Sequence, residues 1–235
     1  MEQHSKEWYL ARLGKWTGSE VGKLMVSGRS KADIFGETAK DYIFDKASER
    51  LLREEVINDG AMWQEYFNLT SISSKAMEFG TEQEPYARKR YARITGYDVH
   101  EWGFAQHKDI PTFGTSPDGI VIEDGEVTRT LEIKCPIGKT YIKYASSVTD
   151  WQTLKKVNPQ YYWQCVSHCS CMGTPVTDFV VFNPFLRPDA RMKIVSIEPP
   201  QEDFDLLIER VILAENLCQT IIEQIVKRNL DFGRK

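Results

Sequence analysis

The chain has 235 residues, 41% of them apolar and 27% charged, with a net charge of −4. No run approaches the ~18 apolar residues of a membrane span, and five cysteines without framework spacing argue against a disulfide-stapled secreted fold. The opening MEQHSKEWYL carries no apolar signal core, so a reduced, cytosolic setting is expected.

Residues 17–20 (TGSE) form a capping-box pattern and predict a short helix running to about Ser27. GRSKADIFGE reads as loop. Helical periodicity covers residues 38–55 and again 72–94, the second run stopping at Gly96. Then the texture changes. YDVHEWGFAQH, TFGTSPDGIVI and RTLEIKCP read as three strands, broken by turns at 109–111 and 123–126. Residues 138–147 and 158–172 read as helices, the second opened by Asn158-Pro159. TDFVVFNP and RMKIVSIE read as two further strands. Residues 201–230 are amphipathic, with Phe204, Leu207, Ile208, Val211, Ile212, Leu217, Ile221 and Ile225 near one stripe. No repeat or Ser/Gly linker divides the chain. The expectation is one α/β domain, 1–235, with a core of about 8–198 and a mixed central sheet flanked by helices on both sides.

Charge is unevenly spread. Residues 201–226 hold six acids against one base, Arg210, while bases gather at Arg88, Lys89, Arg90 and Arg93 and at Lys139, Lys143, Lys155 and Lys156. A net acidic molecule with a basic face can still bind phosphate locally; the alternative is a set of solvated helix faces.

The chemistry concentrates in TSPDGIVIEDGEVTRTLEIKCP, residues 115–136. Residues two apart in a strand share a face, so Glu132 and Lys134 project together while Leu131 and Ile133 face the core. Asp118 ends the preceding strand, and a turn at Asp124-Gly125 would bring it beside Glu132. Two carboxylates at close range resist joint ionisation, and a hard cation such as Mg²⁺ resolves the conflict. Lys134 is then placed to polarise a water or to stabilise charge developing on phosphate. The site reads as metal-assisted phosphodiester hydrolysis. The alternative is an exposed hairpin with a solvated Glu–Lys pair. Arg12 precedes Ser19 at an expected helix N-terminus, an arrangement that binds phosphate. Glu84 is a candidate third acid, and Gln164 lies on the helix after the hairpin.

RLGKWTGSE, MEFGTEQEPYAR, TSPDGI with LEIKCP, and PQYYWQ occur in the order found in the YqaJ-type viral recombinase family, the phage lambda exonuclease family of PD-(D/E)xK nucleases. The chain resembles that family over about residues 8–172. The resemblance implies a restriction-endonuclease-like core and Mg²⁺-dependent 5′-to-3′ digestion of linear double-stranded DNA to mononucleotides, with Mn²⁺ able to substitute. It implies a ring-shaped homotrimer, a phage single-strand annealing protein as partner, and the cytoplasm of a bacterial host.

It places the metal on Asp118, Glu132 and the backbone carbonyl of Ile133, with Glu84 acting through water. Lys134 would activate the attacking water and Gln164 would brace the site. Arg12, Ser19 and Ser116 match a pocket for the terminal 5′-phosphate, and Arg29 a further DNA contact. Met77, beside Lys75, falls at an apolar wedge that splits the end base pair; it also fits a core methionine. Val166 stands where the family pattern has a second glutamine, and residues 28–37 and 54–71 carry no shared motif. The rival readings are a restriction-type endonuclease, a single-strand exonuclease and a non-catalytic DNA-end-binding module. Cys165, His168, Cys169 and Cys171 read as buried, inert positions rather than a metal site, because zinc sites usually draw ligands from separate elements. Tyr161, Tyr162 and Trp163 read as packing.

Overall fold

The computed structural model describes residues 1–30, 33–71 and 73–232. Helix α1 (Lys6–Arg12) is capped by Ser5, whose Oγ accepts from Trp8 N. Strand β1 (Trp16–Thr17) then leads into a 3-10 helix, Val21–Met25. The helix expected from TGSE is therefore shorter and tighter, and it has no side-chain cap. Thr17 is drawn into the strand instead, with its hydroxyl facing Ser19 Oγ and Tyr42 Oη.

Helix α2 (Glu37–Arg50) stops before residue 55; the helical pattern continues, but as two separate pieces, α3 (Glu54–Asn58) and α4 (Gly60–Thr70). The stretch 54–71, which carried no motif, is thus largely helical. Helix α5 (Lys75–Thr95) begins at the Ser74 cap and ends at Gly96 in the left-handed conformation, as its sequence predicts.

The three expected strand runs become five strands: β2 (Val99–His100), β3 (Ala105–Gln106), β4 (Phe113–Thr115), β5 (Gly119–Glu123) and β6 (Glu126–Lys134). The run TFGTSPDGIVI is split between two sheets. Pro117 cannot donate to a ladder, and the chain leaves one sheet and joins the other across Ser116-Pro117-Asp118. Asp124 and Gly125, both with positive φ, close the two-residue β5–β6 hairpin.

Helices α6 (Gly138–Ser147), α7 (Trp151–Val157) and α8 (Pro159–Met172) form the crossover to β7 (Thr177–Phe182), which pairs parallel to β6. Strand β8 (Met192–Ile197) and helix α9 (Gln201–Phe232) follow. The larger sheet has the order β2-β5-β6-β7-β8 and the smaller the order β1-β4-β3. Both mix parallel and antiparallel pairs.

The larger sheet is covered on both faces, which gives the expected α/β layering. A large core containing Trp16, Tyr42, Leu154, Tyr162, Phe179 and Leu207 fills one side. A smaller one under α5 holds Ala87, Tyr91, Leu131, Ile133 and Val180. Val166, in place of a second glutamine, is fully buried in the large core, where a polar side chain would need partners. Among the described residues no helix is long and apolar enough to cross a membrane.

Candidate active site

Strand β6 passes between the two cores, and its alternation assigns the roles. Leu131 and Ile133 enter the smaller core, while Glu132 turns to the other face, toward α8, and is fully buried. Gly119 pairs with Leu131, which sets Asp118 beside Glu132. Asp118 N donates to Leu131 O at 3.0 Å, and Ile133 N donates to Asp118 Oδ2 at 2.6 Å. Lys134 Nζ pairs with Glu132 Oε1 and lies 4.8 Å from the centre of the Tyr161 ring. His168 Nε2 lies 2.7 Å from Glu132 Oε2.

These neighbours perturb one another. Burial raises the Asp118 carboxyl well above its ordinary range, and the charges of Glu132 and Glu84 raise it further. Glu84 is also raised, chiefly by burial. Glu132 goes the other way: burial alone would raise it, but Lys134 and His168 outweigh that and hold it down. Burial would lower Lys134, yet Glu132 and Asp118 push it up, so it stays an ammonium.

The cluster sets three acids against one lysine, a formal excess of acid that Asp118 and Glu84 meet by resisting ionisation. Glu132 Oε1 is buried, and its partner is the Lys134 ammonium. Clustered carboxylates of this kind fit a hard divalent cation. Among the described residues no group of three or more His, Cys, Asp and Glu forms a ready cage.

An open cavity of about 910 Å³ lies against this cluster. It gathers Arg12, Ser19, Lys75, Met77, Glu84, Ser116, Asp118, Ile133, Lys134 and Gln164 around one space. Arg12 Nη1 donates to Ser116 Oγ at 3.1 Å and Nη2 to Ser19 Oγ at 3.2 Å. Its guanidinium stacks 4.0 Å from the Trp8 ring, whose Nε1 also donates to Ser116 Oγ. Among the described residues Arg12 makes no ion pair, so it is not a surface salt-bridge residue, and burial lowers its pKa. Ser19 precedes a five-residue 3-10 helix rather than capping an α-helix. Met77 is 56% exposed and faces the cavity, so it is not a core residue. Arg29 does not join this group. It lines a separate groove with Ser27, Asp33 and Arg210.

Several contributors escaped the sequence reading. Arg88 Nε donates to Asp118 O at 2.7 Å, and Gln3 Nε2 to Pro117 O at 2.9 Å, so the junction before β5 is clamped from both sides. Arg88 also pairs with Glu101, and Lys155 with Asp203. These two members of the basic runs are therefore structural rather than free for phosphate. Phe185 stacks on Phe79 at the cavity rim with ring centres 5.7 Å apart. Tyr162 and Trp163 are buried, as expected, but Tyr161 reaches the cavity. Cys165 and Cys169 are buried free thiols, whereas their neighbour His168 contacts the acid cluster. Helical spacing was the one available signal, since His168 lies one turn beyond Gln164 on α8.

Residues 7–175 match the family model of the YqaJ-like viral recombinase domain. The fold is similar to an alkaline exonuclease, LHK-Exo, from Laribacter hongkongensis, with a TM-score of 0.76 and 28% identity over 97% of this chain and 100% of that one. A second structure of that protein, in complex with dAMP, aligns with the same coverage and TM-score. A phage-related exonuclease from Haemophilus somnus 129PT shares the fold at a TM-score of 0.66 and 15% identity, over 90% of this chain and 96% of that one. Among proteins of curated function, none matches the sequence.

Proposed function

Because the chain belongs to the YqaJ-like viral recombinase family, we propose that it is a Mg²⁺-dependent exonuclease that digests one strand of linear duplex DNA from its 5′ end. The observation that carries this is the shared cavity: Asp118, Glu84 and Lys134 line one space with the Arg12–Ser19–Ser116 group, and Glu132 lies buried directly behind Lys134. Ser116 and Asp118 are two residues apart in one clamped junction, so a terminal phosphate held by Arg12 lies next to the acids.

Asp118, Glu132 and the Ile133 carbonyl would hold the metal, with Glu84 acting through water and Mn²⁺ able to substitute. The ion, when bound, polarises the phosphodiester and makes water a stronger nucleophile. Lys134, paired with Glu132 at the cavity wall, orients the attacking water by donating to it and stabilises charge on the phosphoryl oxygens. Arg12, with two donors fixed on Ser19 and Ser116, receives the 5′-phosphate. Gln164 braces the cavity wall, and Met77, exposed beside Lys75, meets the end base pair. The product is a 5′-mononucleotide, the class of molecule seen with the Laribacter protein. The 3′ overhang left behind suits a single-strand annealing partner, and a homotrimeric ring would keep the enzyme on its strand.

The test is an end-label assay with Mg²⁺ on linear duplex carrying 5′-phosphate or 5′-hydroxyl ends and on covalently closed circles, with Asp118→Ala alongside. Loss of 5′-phosphate label, intact circles and an inert variant are expected. Cut circles would make the protein an endonuclease. Digestion of single strands alone, or binding without product, would remove the duplex exonuclease reading.

A further inference from the structure

His168 belongs to none of the motifs that marked the cavity, yet it is one of the most constrained side chains in the molecule. It is completely buried in α8, and both ring nitrogens are engaged: Nε2 lies 2.7 Å from Glu132 Oε2 and Nδ1 lies 2.6 Å from Thr115 Oγ1. An ionised Glu132 can only accept, so Nε2 carries hydrogen and donates. In the neutral ring Nδ1 then accepts from the Thr115 hydroxyl.

Thr115 is the last residue of β4, in the smaller sheet, whereas Glu132 lies in the larger one. The imidazole is therefore a strut between the sheets. Gly18 leaves room for the Thr115 hydroxyl at its far end: a Cβ there would stand 2.3 Å from Thr115 Oγ1 and 3.2 Å from Ser167 Cβ. Ser116, next in the chain, holds Arg12. One strand end thus anchors the arginine group on one side and the carboxylate on the other. With Oε2 tied to His168, Glu132 presents Oε1 toward Lys134. Without that tie the carboxylate would be free to turn, and a charged group in a buried site would lose a charge-assisted hydrogen bond.

We propose that His168 is a positioning residue: steadied by Thr115, it fixes the Glu132 carboxylate in its metal-binding orientation and so sets the affinity of the site for a divalent cation. This rests on the reading of Glu132 as a metal ligand. Hydrogen-bond partners of metal ligands commonly change affinity about 10–100-fold when removed.

The experiment is a Mn²⁺ titration of the full chain without DNA, followed by electron paramagnetic resonance of the free ion. Glu132→Gln, His168→Leu, His168→Gln and Thr115→Val are compared with the unaltered protein, and thermal melts in chelator check folding. His168→Leu should weaken Mn²⁺ binding by about 10–100-fold. It should raise the Mg²⁺ concentration for half-maximal cleavage to a similar extent, with the rate at saturating Mg²⁺ within a few-fold of normal. His168→Gln keeps an amide donor toward Oε2 and should restore most of the affinity; Thr115→Val should give a smaller, several-fold loss. Equal Mn²⁺ binding by a folded His168→Leu overturns the proposal, as does a loss in His168→Gln as large as that in His168→Leu. If the leucine variant does not fold, unchanged binding in Thr115→Val overturns it. Failure of the underlying reading looks different: Glu132→Gln would then bind Mn²⁺ like the unaltered protein, or the unaltered protein would not bind it.

Discussion

Two buried acids sit on adjacent strands of the larger sheet, and the fold treats them in opposite ways. Asp178, on β7, has both oxygens fully used. Arg129 Nη1 donates to each at 2.8 Å, Tyr91 Oη donates to Oδ2, and Ser196 Oγ donates to Oδ1 at 2.7 Å. Glu132, on β6, has one oxygen tied to His168 and the other to Lys134, a single partner each. Around Asp178 the charges cancel. Around Glu132 they do not, because Asp118 and Glu84 add further carboxylates. Burial alone does not distinguish the two acids. What separates them is whether the protein itself completes the acid's hydrogen bonds and balances its charge.

The comparison is broken most directly by removing one charged member from each side. Lys134→Ala should lower cleavage by about 10³-fold or more, since charge placed at the reacting phosphate is among the largest catalytic contributions. Duplex binding, read by fluorescence anisotropy, should stay within a few-fold, because Arg12, Ser19, Ser116 and the rest of the cavity wall are untouched. Full activity in this variant would remove Lys134 from the mechanism. Asp178→Ala should act on the other quantity. It strands Arg129, Tyr91 and Ser196 and should cost about 3–5 kcal/mol of stability, measured by urea unfolding. The specific activity of its folded fraction should be nearly normal. A folded, stable Asp178→Ala protein without activity would show that the two acids do not divide the work in this way.

Arg12 sharpens the same contrast at a cation. Arg129 is ion-paired, while Arg12 is held by two serine hydroxyls and an indole face. Arg12→Ala should therefore erase a preference for 5′-phosphate over 5′-hydroxyl ends, worth about 2–3 kcal/mol for a charge-assisted contact. The ratio of the two digestion rates reads this, and an unchanged ratio would put the phosphate pocket elsewhere.

What could be read in the sequence follows from the range of each interaction. Strand alternation is local, so LEIKCP displays Glu132 and Lys134 on one face. Caps are local too, and Ser74, Gly96, Asn158 and Gly173 mark the ends of α5 and α8 as their residue types suggest. The smaller sheet was invisible because its strands have two or three residues, too few for a period to show. The clamps on the Asp118 junction come from Gln3 and Arg88, 114 and 30 residues away from their acceptors, and nothing near either residue announces a partner. His168 was read with its cysteine neighbours because they crowd one helix. The sheet opposite gives each a different surrounding, and only the histidine meets a carboxylate. Arg29 was placed by resemblance at the edge of the shared motifs, and the loop carries it to another groove.

Glu215 supplies the smallest test, and it is a test of the rule itself. Like Asp178 it is a completed acid: Arg50 donates to Oε1 at 2.8 Å and Oε2 at 2.7 Å, Trp16 Nε1 to Oε2 at 2.8 Å, and Gln219 to Oε1 at 3.0 Å. Burial opposes its charge, but the bonds from Arg50, Gln219 and Trp16 prevail and bring its pKa down to about 2. An unfolded glutamate titrates near ~4.3. The folded value is the lower one, so the stabilisation is complete above that pH and is lost as pH falls toward 2. The side chain is partly exposed, and solvent screening reduces the contribution to about 1–2 kcal/mol. Glu215→Gln should thus be less stable by that amount at pH 7 in urea unfolding. The gap should narrow steadily below about pH 4.5 as the unfolded glutamate protonates. A gap constant with pH would mean that the Arg50 contact contributes packing rather than charge. Activity per folded molecule should not change, because this acid joins α9 to α2 outside the cavity and its charge is already balanced. Completed pairing makes an acid a stability element even at the surface, whereas the acids crowded around Glu132 leave its pairing unbalanced even when no solvent reaches it.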